Sequence, residues 1–68
     1  MDYKITFIVG KTLAEIKERA ARNMEDWFNC IADARRKGED VAEAQGIYNA
    51  WVDVYNNPVA YLPQNLSN

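Results

Sequence analysis

The sequence predicts a single small α+β domain over residues 1–68. It is mainly helical, with one N-terminal β-strand, a long antiparallel α-helical hairpin and a short extended tail. Three observations predict it. Tyr3 to Val9 alternate side chains with the period of two that belongs to a strand. Two later stretches repeat apolar residues at steps of three and four, the period of an amphipathic helix. The Lys37-Gly38-Glu39-Asp40 turn between them is short enough to make the helices antiparallel neighbours.

The strand is expected at about 3–9. Tyr3, Ile5, Phe7 and Val9 form a uniformly apolar face that the helices must cover, while Lys4, Thr6 and Ile8 form the other face. A lone strand leaves its backbone donors and acceptors without partners. Pairing is therefore expected with a second copy, with the tail near Val59 to Leu62, or with the sheet edge of another protein. Gly10 supplies a flexible corner into the first helix.

That helix is expected at about 12–37. Thr12 followed by Glu15 gives a reciprocal capping pattern. Leu13, Ile16, Ala20, Met24, Trp27, Ile31 and Ala34 mark its apolar stripe, and Arg35, Arg36, Lys37 and Gly38 mark its end. The second helix is expected at about 41–56, with Asp40 and Glu43 as a second capping pattern. Its apolar arc carries Val41, Ala44, Ile47, Tyr48, Trp51, Val52, Val54 and Tyr55. The tail, 57–68, holds Val59 to Leu62 between Pro58 and Pro63, which predicts an edge strand or extended strip against the helices. Beyond it, Gln64 to Asn68 is polar apart from Leu66.

At 68 residues, one hydrophobic core is marginal, but 49% hydrophobic and 12% aromatic residues are enough to fold, with oligomerisation as the natural supplement. A single cysteine, Cys30, and no histidine exclude an internal disulfide and a zinc site built from those residues. The net charge of −2 argues against a protein that lives on phosphate backbones, which needs a basic stripe. It is also too small for mimicry of a nucleic acid. No apolar run approaches a membrane span, and the N-terminus lacks the blocks of a secretory signal, so the cytoplasm is expected.

Candidate chemistry is sparse. Gly10-Lys11-Thr12 has the letters that end a phosphate-binding loop, but Ile5 stands where its first glycine belongs. Glu15 and Arg19, Glu18 and Arg22, and Asp33 and Lys37 have the spacing of solvated helix pairs rather than of a catalytic carboxylate dyad. Glu18, Glu25 and Asp26 show no inward-facing pattern for a metal. Cys30 has no base that spacing guarantees. The sequence thus nominates no catalytic residue, cofactor, metal or small-molecule substrate.

Contact surfaces are better marked. Phe28 falls beside the main stripe among Ala14, Ala21 and Ala32, as a shallow apolar patch. On the second helix Ala42, Gly46 and Ala50 form a smooth ridge flanked by Asn49 and Asp53, where close approach by another backbone would account for the glycine. With the outer strand residues Lys4, Thr6 and Ile8, these are the predicted partner-binding residues. They favour a non-enzymatic module that occupies a surface of a larger protein or complex, with a homodimer formed by strand pairing or by the ridge. Short, acidic, cysteine-poor chains of this character are common among phage and mobile-element inhibitors of host or defence systems, anti-CRISPR proteins included; such a chain would work in the host cytoplasm.

The order strand, helix, helix, with Lys4 and Thr6 alternating on one strand face, also resembles the ribbon-helix-helix regulators. That resemblance implies a dimeric DNA-binding protein with Lys4 and Thr6 against bases. It covers the first dozen residues and the element order. It departs in the length of the first helix and in the acidic Glu39-Asp40 turn, whose carboxylates would repel a backbone phosphate.

Overall fold

A computed structural model describes residues 3–66. Thr12 opens α1, Leu13–Arg36, by accepting the Glu15 main-chain N–H on its hydroxyl at 3.2 Å. Glu15 answers from the other side, but its carboxylate takes the N–H of Lys11 rather than that of Thr12, at 3.3 Å. At the far end Glu39 N–H bonds Ala34 C=O at 2.9 Å and Gly38 N–H bonds Arg35 C=O at 3.1 Å. This is the six-to-one, five-to-two closure of a Schellman motif, with Gly38 at φ +75° in the position that needs a left-handed residue.

The turn leads into α2, Ala42–Asn56. Asp40 supports its start from outside the helix, its carboxylate accepting the Ala42 N–H at 2.9 Å. Glu43 takes no part in a cap. After α2 the chain makes a 3-10 turn, Pro58–Tyr61, and a last helical turn, α3, Pro63–Leu66. The two helices lie antiparallel, and Val9, Ile16, Ala20, Trp51 and Val54 form the buried core between them. Ile5, Met24, Trp27, Ile47, Tyr61 and Leu62 pack around that core. Ile31 is buried separately, towards the turn. From the expected arcs, Leu13 and Tyr55 remain exposed at 43% and 37%, and Lys17 sits 5.1 Å from the centre of the Tyr55 ring.

The α+β class is overturned. Among the described residues there is no β-strand; the elements are three α-helices and one 3-10 turn. Residues 3–9 are a non-helical strap laid along α2. Tyr3 meets Glu43, and the Phe7 ring stands edge-on to Trp51 at 6.0 Å. Four steps of extended chain cover roughly 13 Å, and the eight helical residues from Glu43 to Trp51 rise roughly 12 Å, so strap and helix stay in step. Side chains at alternate positions hold it, with Val9 buried and Tyr3 and Ile5 half-buried. A helix has no free backbone edge to offer, so no ladder forms, and the expected alternation breaks at Phe7, which lies at a bend and is 57% exposed. Among the described residues, the one hydrogen bond to the strap's main chain is from Arg19 Nη1 to Val9 C=O, at 2.6 Å.

The extended tail is corrected as well. Pro58 and Pro63 each begin a helical piece, where a missing N–H and a fixed φ are assets, instead of confining an edge strand. Residues 67 and 68 of that expected tail lie outside the described residues.

Candidate functional site

The strap divides the exposed surface beside α2 into two concave regions. On one side lies an open cleft of about 520 Å³, lined by Tyr3, Lys4, Ile5 and Thr6 of the strap and by α2 and Tyr61. From α2 it takes Gly46, Asn49, Ala50 and Asp53. The period of two turns Lys4 and Thr6 outward, and the four-residue steps of α2 bring Gly46, Ala50 and their neighbours to the strap. The Tyr61 hydroxyl donates to the Asp53 carboxylate at the cleft wall. Partial burial, then that hydrogen bond and the carboxylate's charge, push the Tyr61 phenol up to about 12. Tyr3 is shifted in the same direction, first by desolvation and then by Glu43. Both phenols are donors held beside an acceptor.

On the other side Phe7, Ile8 and Val9 face Arg19, Arg22, Asn23 and Trp51 across a groove of about 270 Å³. Phe7 is 57% exposed and Ile8 60%, while Trp51 and Val9 beneath them are buried. Spacing alone pairs Arg19 with Glu15. Instead, Glu15 is engaged by Lys11 and Thr12, and Arg19 turns back to the Val9 carbonyl. One of its five N–H donors is used there, and the contact fixes the guanidinium at the groove's edge. Arg22 sits 3.5 Å from Glu18 in a pair whose side chains are 75% and 73% exposed, an interaction worth ~1 kcal/mol or less.

Of the residues nominated from sequence, Lys4, Thr6, Gly46, Asn49, Ala50 and Asp53 meet in the cleft, and Ile8 lies in the groove. Phe28 is elsewhere, 60% exposed with its ring 6.4 Å from Tyr48. Ala42 is exposed at the start of α2 and lines neither region. The smooth ridge acquires a reason within the chain itself: Ala50 is buried and Gly46 half-buried beside the strap.

Comparison with known protein families, curated proteins and solved structures finds no match. The site therefore rests on its own geometry. Sequence reasoning missed Phe7, assigned wholly to the covered face, and Arg19 and Arg22, assigned to helix pairs. Their spacing gave no signal of it: Arg19 and Arg22 stand three apart on α1, neighbours of each other but off the apolar stripe, with Arg22 on the face opposite Ala20. Among the described residues no group of three His, Cys, Asp or Glu side chains is placed to hold a metal ion, and no helix is long and apolar enough to cross a membrane.

Proposed function

We propose that this chain is a non-enzymatic protein-binding module that acts by occupying a surface of a larger protein or complex. The observation that carries the reading is the groove formed by Phe7 and Ile8 over Trp51. Two large apolar side chains are more than half exposed at a position anchored from below by a buried tryptophan. Apolar anchors on a supported backbone are what protein interfaces use, because little order remains to be imposed on binding. The size and acidity of the chain place inhibitors of phage or mobile-element type, directed at host or defence complexes, first among the classes to test.

The test is affinity capture from a nuclease-treated bacterial lysate, washed at low and high salt and read by mass spectrometry, with Ile8→Ser as the paired bait. A complex retained by the wild type at high salt and lost with Ile8→Ser is the expected result. Equal capture by both baits would remove the groove as the docking surface. DNA recovered from an untreated lysate, released by salt and dependent on Lys4, would favour a nucleic-acid regulator instead.

A further inference from the structure

From the groove's charge we infer that the partner presents a carboxylate beside an apolar side chain, an acidic and hydrophobic protein segment; this rests on the protein-docking reading above. The chain as a whole carries ten acidic and eight basic residues. The groove reverses that balance: its lining holds Arg19 and Arg22 and no carboxylate. Glu15 and Glu18 lie with the same two arginines in a separate pocket that takes in no strap residue. Glu15 is tied to the start of α1, and Glu18 reaches Arg22 across 3.5 Å of solvated surface that a better-placed carboxylate can displace.

The two cations are also unequal in a useful way. Arg19 is pre-set by the Val9 carbonyl, so its remaining donors meet an incoming anion with little further loss of freedom. Arg22 stands one helical turn on, at the reach of a neighbouring oxygen or of a second acidic residue. Phe7, Ile8 and the Trp51 edge supply an apolar surface that a bare anion would not need. A peptide with an aliphatic or aromatic side chain next to Asp or Glu satisfies both halves of the groove. A phosphate backbone satisfies only the cationic half, and would meet the acidic surroundings of the remaining chain.

The test selects a displayed random dodecapeptide library on the immobilised wild-type chain. Enriched peptides are then synthesised with a fluorescent label and titrated by anisotropy. Expected peptides carry Asp or Glu close to Leu, Ile, Phe or Trp. Changing that acid to its amide should weaken binding to the wild type by about tenfold, the usual size of one charged hydrogen bond. Arg22→Gln should weaken the acidic peptide by a similar factor and leave the amide version unchanged, and Arg19→Lys should fall between. Ile8→Ser should weaken both versions. It is chosen because Ile8 is 60% exposed and lies outside the Phe7–Trp51 contact, and circular dichroism checks that each variant keeps its helices. Equal affinity for acid and amide, with Ile8→Ser still weakening both, would overturn the carboxylate inference and leave the docking reading standing. Failure to enrich any peptide, or enrichment of peptides indifferent to both Ile8 and Arg22, would overturn both. Displacement of the peptides by a twelve-nucleotide oligothymidine at comparable concentration would show that the rim reads phosphate, and would also overturn the inference.

Discussion

A methyl group on Gly10 would sit 2.8 Å from the Cβ of Glu15 and 3.1 Å from the backbone nitrogen of Ile16. The corner was expected to need flexibility; what it needs is space, because the chain passes hard against the first turn of α1. Neither neighbour is the free end of a long side chain, so Gly10→Ala must move backbone. It is expected to cost about 1–3 kcal/mol in urea unfolding, where an exposed alanine substitution elsewhere on α1 would cost a few tenths. Gly38 is the opposite case, with open space around its Cα but a left-handed φ. Tyr61 makes a prediction in pH. Its folded phenol titrates at about 12 against an ordinary 10.0, so between those values the native state binds more protons than the unfolded chain. The contribution is complete below pH 10 and disappears as pH rises through 12. Thermal melts across that range should fall for the wild type and fall less for Tyr61→Phe, with Tyr3 supplying part of what remains.

Among the elements, α1 was legible almost to its ends because its signals are local: the Thr12 cap, the Schellman closure at Gly38 and the apolar period all act within a turn of the residues that carry them. The strap was half legible. Alternation told correctly that Ile5 and Val9 turn inward and Lys4, Thr6 and Ile8 outward, but it failed at Phe7, where the chain bends and leaves the ring 57% exposed. Pairing did not follow, because a ladder needs a second extended segment, and the candidate within the chain, the tail near Val59 to Leu62, coils into the 3-10 turn Pro58–Tyr61 instead. The tail failed for a related reason: a proline is compatible with an edge strand and with the first residue of a helix, and nothing local separates them. The groove was hidden by the spacing of Glu15 and Arg19, since a helix-pair rule cannot see that the strap offers a buried carbonyl nearby. If side-chain anchoring holds the strap, Val9→Ala should loosen it as a unit. We expect a loss of about 1–3 kcal/mol, together with a red shift of the Trp51 emission that a Trp27→Phe background makes unambiguous.

The whole molecule measures 41 × 22 × 15 Å, with a radius of gyration of 12.9 Å where a compact chain of this length gives roughly 11 Å. Its 4930 Å² of accessible surface likewise exceeds the roughly 4,400 Å² typical of its mass. The ridge that sequence offered for self-association is partly taken up by the chain's own strap. Small-angle scattering is therefore expected to give a radius close to 12.9 Å that does not grow with concentration. Growth abolished by Ile8→Ser would mean that the groove also binds its own kind. The strap has a further consequence, in time rather than in space. Residues 3–9 leave the ribosome well before Trp51 and Val54, which share the core with Val9, and during that interval α1 alone is there to cover their apolar side chains. The contacts that finish the fold join residues far apart in the chain, so in a protein built of fast local helices the slow step should be the docking of this segment onto α2. A nascent chain halted short of α2 would display Ile5, Phe7 and Val9 to whatever chaperone meets it first.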